Sequence, residues 1–101
     1  MRKCKNFYKG TILEKGDLID TNINHIVELK YYKTVFSDRI SKIYGVEITK
    51  KEYKGDKVTI ETERISNLSK NEEKVNTILE VLTNNKVTPM GLGDIINDMV
   101  C

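Results

Sequence analysis

Hydrophobic and polar positions alternate along the chain from His25 onward. Val27, Leu29, Tyr31, Lys33 and Val35 fall on one side, with Glu28, Lys30, Tyr32 and Thr34 on the other. That period of two predicts a half-buried strand of about nine residues, which Ser37-Asp38 ends. A second alternation runs from Lys42 to Tyr53, setting Tyr44, Val46 and Ile48 against Ile43, Glu47 and Thr49. Gly45 within it predicts a bulge or a close backbone contact. Lys54-Gly55-Asp56 reads as a tight hairpin turn, with Gly supplying the positive φ. A third strand then alternates Val58, Ile60 and Thr62 with Thr59, Glu61 and Glu63.

The period changes after Ser69. Val75, Ile78, Leu79 and Leu82 stand at i, i+3, i+4 and i+7, the apolar stripe of a helix spanning about 70–85. Ser69-Lys70-Asn71-Glu72 has the S-x-x-E form of a capping box, which places the N-cap at Ser69. Glu72 and Glu73 suit the positive end of the helix dipole and Lys86 the negative end. Asn84-Asn85 is expected to stop the helix through a left-handed residue. Val87-Thr88-Pro89 forbids continuation, because the proline ring pushes Thr88 to extended geometry. A second helix, from 89 or 92 to 100, follows with Leu92, Ile95, Ile96 and Met99 on one face. It is short enough to need docking on the rest of the fold.

The fold class expected is α+β: an antiparallel meander of three to four strands with two C-terminal helices packed on one face. Its core would hold Val27, Leu29, Tyr31, Val46, Ile48, Val58, Ile60, Val75, Ile78, Leu79, Leu82, Ile95, Ile96 and Met99. At 101 residues the chain reads as one domain: a segment 1–16, a β-meander over 26–66 and a helical hairpin over 69–100. Residues 1–16 carry five basic side chains against Glu14, a local charge of +4 that exceeds the +2 of the whole chain. The segment is either an arm reaching for an anionic surface or an edge strand guarded by its lysines. Phe7, Ile12 and Leu13 favour the edge strand.

Composition narrows the setting. The chain has no Ala, Gln or Trp and is rich in Lys (14), Ile (12) and Asn (9), the bias of a low-GC, bacterial genome. No apolar run follows the basic N-terminus, so it does not read as a secretory signal, and no segment is long and apolar enough to span a bilayer. Cys4 and Cys101 read as free thiols in a cytoplasmic protein.

Candidate chemistry is sparse. His25 could act as an acid–base group only with Asp17, Asp20 or Glu28 to orient it, and the neighbouring Asn22 and Asn24 read more simply as a polar loop. Two cysteines at opposite ends and one histidine do not make a zinc site, and Gly91-Leu92-Gly93 matches neither phosphate-binding loop. Catalytic, cofactor-binding and metal-binding residues are therefore all expected to be none, and no cofactor is expected. A helix-turn-helix reading of 70–100 fails on charge, since residues 89–101 hold Asp94 and Asp98 and no Lys or Arg. Lys30, Tyr32, Lys50, Lys51, Tyr53 and Lys54 could gather cations and aromatic rings on one sheet surface, as single-strand binders do. The interleaved Glu28, Glu47, Glu52, Glu61 and Glu63 would repel phosphates.

Tyr44-Gly45-Val46-Glu47-Ile48, together with Asn85-Lys86-Val87-Thr88-Pro89-Met90 through Leu92, Asp94, Ile95 and Asp98, resembles a family of short uncharacterised proteins. These come from low-GC Gram-positive, often clostridial, bacteria and are known as a domain of unknown function. The resemblance covers roughly residues 26–100, leaves the basic segment 1–16 outside, and implies a bacterial intracellular setting and a single compact domain. It carries no site residues. The function expected is a small, non-enzymatic interaction or regulatory protein whose partner is another protein, with no membrane. The alternative is a weak nucleic-acid-binding module using the Lys/Tyr sheet face and the basic N-terminal segment.

Overall fold

A computed structural model of the chain describes residues 2–13 and 26–100. Strands β1 (Arg2–Leu13), β2 (Ile26–Ser37), β3 (Lys42–Lys54) and β4 (Lys57–Ser69) form one antiparallel sheet in chain order. Helix α1 (Glu72–Asn84), a 3-10 turn (Pro89–Gly91) and helix α2 (Leu92–Val100) follow. This is the α+β meander with two C-terminal helices that the periodicity predicts. Strands of twelve and thirteen residues reach about 40 Å at 3.3 Å per residue. They set the long dimension of a slab measuring 48 × 28 × 17 Å.

Each connection has a local cause. The β2–β3 turn is held by Asp38, whose carboxylate accepts from the backbone N–H groups of Ile40 (2.8 Å) and Ser41 (2.9 Å). Those two bonds hold its carboxyl below the usual carboxylate range. The β3–β4 turn is two residues long, closed by the pair Lys54 and Lys57, with Gly55 at φ +58°. The N-terminal segment is an edge strand over the described residues, pairing with β2 from Arg2–Ser37 to Leu13–Val27 with one extra residue at Tyr8.

The register sorts side chains onto two faces. Leu13, Val27, Leu29, Tyr31, Val46 and Ile48 point to one face and are buried there against Val75, Ile78, Leu79, Leu82, Val87, Leu92 and Ile96. Ile95 and Met99 are half-buried against the same cluster. The N-terminal turn of α1 is tied to this face by Lys33, whose ammonium donates to Glu72 (2.7 Å) and Asn76 (3.2 Å). Where that face runs on towards the β3–β4 turn it becomes charged: Lys50 bonds Glu52 at 2.9 Å and Glu61 at 3.3 Å. Burial pushes the Lys50 ammonium down, but the bonds to Glu52 and Glu61 outweigh it and the net displacement is upward.

Three expectations need correction. Val58 and Ile60 are not core: they are 51% and 61% exposed. The two-residue turn pairs Val58 with Tyr53 and Ile60 with Lys51, which places both on the face opposite Val46 and Ile48. The helix does not start from Ser69. Asn71 is the N-cap, accepting from the N–H groups of Glu73 (3.0 Å) and Lys74 (3.4 Å), while Ser69 ends β4 and its hydroxyl accepts from the N–H of Asn71. The left-handed residue at the other end is Lys86 (φ 50°), one place beyond Asn85. The N–H of Lys86 reaches Thr83 O and that of Val87 reaches Leu82 O, the paired bonds of a Schellman ending.

Gly45 behaves as its position predicts. Between Val46–Ile65 and Tyr44–Ser69 the β4 strand carries two extra residues, a bulge in which Asn67 has φ 59°. The bulge lies so close to β3 that a Cβ on Gly45 would stand 2.2 Å from Ile65 O and 2.8 Å from Ser66 Cα. Only glycine permits that approach.

Candidate functional site

Both helices cover the same face of the sheet, and the other face has no layer over it among the described residues. From the register, this open face carries Lys3, Lys5, Phe7, Gly10 and Ile12 of β1 beside Ile26, Glu28, Lys30, Tyr32, Thr34 and Phe36 of β2. From β3 and β4 it carries Ile43, Gly45, Glu47, Thr49, Lys51 and Tyr53 beside Val58, Ile60, Thr62 and Arg64. Six large apolar side chains are exposed on it: Phe7, Ile12, Ile26, Tyr53, Val58 and Ile60. Exposed apolar side chains gathered on one surface mark a place where something docks.

Charge on this face is arranged differently from the order of residues in the chain. Lys30, Tyr32, Lys51 and Tyr53 do share the open face, whereas Lys50 and Lys54 lie on the opposite one. Glu52, Glu61 and Glu63 also lie opposite, so three of the five carboxylates expected to repel phosphate are removed from the surface. Glu47 remains, but its side chain is only 4% exposed and is spanned by Lys5 (2.9 Å) and Arg64 (3.0 Å). Glu28 pairs with Lys30 at 3.7 Å. Five cations thus face two carboxylates, a net of +3 on the open face. Within α1 and α2, by contrast, five carboxylates face Lys74 alone. The molecule is positive on one broad side and negative on its helical layer.

Midway along β1 and β2, Phe7 and Tyr32 meet edge to face, with ring centroids 5.7 Å apart at 75°. The Lys5 ammonium sits 4.5 Å from the Tyr32 ring centroid and Lys51 sits 5.4 Å from that of Tyr53. Beside Phe7 and Tyr32 the surface dips into two adjoining hollows of about 170 and 220 Å³, both lined by Lys3 and Thr34. One continues along Phe36, Ile43, Ser66 and Asn67; the other along Lys5, Glu47 and Arg64. Ser66 and Asn67 of the β4 bulge, which closes over Gly45, form part of the wall of the first hollow.

The remaining candidates resolve simply. Asp17, Asp20, Asn22, Asn24, His25 and Cys101 lie outside the described residues. Cys4 is an exposed thiol. Among the described residues no three His, Cys, Asp or Glu side chains cluster closely enough to hold a metal ion, and no helix is long and apolar enough to cross a membrane.

Residues 12–101 match the model of a family described as a family of unknown function, DUF6514. The chain belongs to that family. The DUF6514 match begins at Ile12, so Lys3, Lys5 and Phe7 of the open face precede it, while Tyr32, Gly45, Glu47 and Arg64 fall within it. No curated protein and no solved structure matches the chain. The sequence reading joins the basic N-terminal segment to the Lys/Tyr face but leaves out Arg64 and does not place Phe7 and Lys5 against Tyr32. The signal lay in strand pairing: two-residue closure at Gly55-Asp56 fixes which β3 and β4 residues share a face, and an edge strand at 2–13 brings the basic segment alongside.

Proposed function

We propose that this DUF6514 chain is a small, non-catalytic interaction protein that binds an anionic partner macromolecule through the open face of its sheet. The observation that carries the reading is the coincidence, on the face left bare by the helices, of a net +3 charge with exposed apolar and aromatic side chains. A cationic face steers an oppositely charged partner, and the apolar side chains interspersed on it supply contact area. The Ala-free, Lys-, Ile- and Asn-rich composition supports a low-GC bacterial origin, and the exposed Cys4 thiol supports a reducing, cytoplasmic setting.

The test is capture from a cell extract of the native host with three baits: the wild-type chain, a Phe7→Ser/Ile60→Ser variant and a Met90→Ser variant. Met90 is 85% exposed in the 3-10 turn, away from the open face. Material retained by wild type and Met90→Ser but lost by the open-face variant supports the assignment. Equal retention by all three baits removes it.

A further inference from the structure

We infer that the partner is single-stranded nucleic acid, seated with a phosphate in the paired hollows and a base on the exposed ring of Phe7. This rests on the open face being the binding surface and names the ligand class for it.

The phosphate site is built by three strands. Lys3 and Lys5 come from β1, Thr34 from β2 and Arg64 from β4, and all line the hollows beside Gly45. Glu47 fixes the arrangement: its buried carboxylate holds Lys5 at 2.9 Å and Arg64 at 3.0 Å, so both cations are set in place before any ligand arrives. One carboxylate against three cations leaves a positive hollow with the Thr34 hydroxyl at its wall. A tetrahedral oxyanion meets charge-assisted hydrogen bonds there, the strong class of such bonds.

The aromatic site is joined to it through Lys5, which lines one hollow and at the same time stands over the Tyr32 ring. Phe7, edge to face with Tyr32, is 60% exposed and offers its ring to solvent midway along the edge strand β1. Phe7 follows Lys5 by two residues on the same face of β1, so an exposed ring and the cations of the hollow are neighbours along the strand. Ring faces are useful only to unstacked bases, which singles out unpaired strands over duplexes.

Fluorescence anisotropy with fluorescein-labelled U12 and dT12 tests this, with inorganic polyphosphate and a duplex of the same length as competitors. The expected result is binding at 50 mM salt that weakens with a log–log slope of about −2, the value for some three phosphates on a single strand. Phe7→Ala should weaken U12 binding about tenfold, in the range for loss of one stacked base. Lys3→Ala should flatten the salt slope by about 0.7. Lys57→Ala removes the same charge from the opposite face and should leave binding unchanged. Circular dichroism checks that each variant keeps its fold. Polyphosphate competing as well as U12, with no effect of Phe7→Ala, overturns the inference in favour of a general polyanion surface. So does preference for the duplex, or no oligonucleotide binding at 50 mM salt. In each of these cases capture from extract that still depends on Phe7 and Ile60 leaves the open-face reading standing; loss of that dependence ends both.

Discussion

The phenolic hydroxyl of Tyr31 donates a 2.9 Å hydrogen bond to the carbonyl oxygen of Val87. Tyr31 lies fully buried on β2, and Val87 is the residue at which the chain leaves the Schellman ending of α1. One bond therefore fixes where the helical layer turns back over the sheet, and it satisfies a polar pair inside an apolar core.

Tyr31→Phe keeps the ring and removes the donor, leaving the Val87 carbonyl without this partner at a cost of about 1–3 kcal/mol. The same residue sets an alkaline limit. Burial pushes the Tyr31 hydroxyl from 10.0 up to about 12, so the folded state keeps a proton that the unfolded chain loses. That contribution is whole below pH 10 and is lost as pH rises towards 12; two units correspond to about 2.7 kcal/mol. Lys50, also displaced upward, acts in the same direction above its ordinary 10.5. Urea midpoints from pH 8 to 12 should fall steeply for the wild-type protein and less steeply for Tyr31→Phe. Identical slopes would show that the Tyr31 hydroxyl is not withdrawn from water in solution.

Gly45→Ala should be among the most damaging single substitutions in the sheet. Its Cβ would meet Ile65 O at 2.2 Å, Thr34 Oγ1 at 2.7 Å and Ser66 Cα at 2.8 Å, and two of those atoms are backbone. A loss of about 3 kcal/mol is expected, the upper range for overpacking. Gly93→Ala in α2 is the contrast: its Cβ meets nothing within 4 Å, and a gain of about 0.5 kcal/mol is expected from helix propensity. Chemical denaturation of the two variants side by side reads both signs.

The start of α1 discriminates between two neighbouring polar residues. Asn71→Ala removes the acceptor for Glu73 and Lys74 N–H and should cost about 0.5–2 kcal/mol. Ser69→Ala removes only the acceptor for the N–H of Asn71, outside the helix, and should cost less. Thermal melts in which Ser69→Ala is the worse of the two would return the cap to Ser69.

Lys5 and Arg64 should be coupled through Glu47. Each cation is half-exposed, so Lys5→Met or Arg64→Met alone should cost about 0.5–1 kcal/mol. Losing both leaves the buried carboxylate unpaired, and the double variant should exceed the sum by about 1 kcal/mol. A double-mutant cycle by urea denaturation measures the excess; additivity would mean the carboxylate is solvated without them.

The stripe Val75, Ile78, Leu79 and Leu82 was legible because only one face of α1 is apolar, so periodicity identifies the buried side directly. Gly45 was legible because a glycine inside a strand has few reasons to be there. Val58 and Ile60 misled because the open face also carries apolar residues, and alternation alone gives the period of a strand but not which side is inside. The turn settles it: two residues between Lys54 and Lys57 force Val58 to share a face with Tyr53. Ser69 misled for a different reason. Ser69, Asn71 and Glu72 offer overlapping cap signals, and local sequence does not say that β4 runs to Ser69 after its bulge. The open face was the least legible part, since its cations and rings come from all four strands and meet only through pairing.

The sheet is laid down in the order of synthesis, and everything that covers its apolar side comes afterwards. When Ser69 has been added, β1 to β4 are all present, yet Leu29, Tyr31, Val46 and Ile48 have no helix to bury them. Residues 72–100 supply the cover, and at 5–20 residues per second their synthesis takes about 1.5–6 s. Until those residues are made, nothing later in the chain can cover the apolar side of the sheet. Truncation anywhere before Leu82 makes that exposure permanent, so a C-terminally shortened product should associate through the uncovered side and not accumulate as a folded monomer.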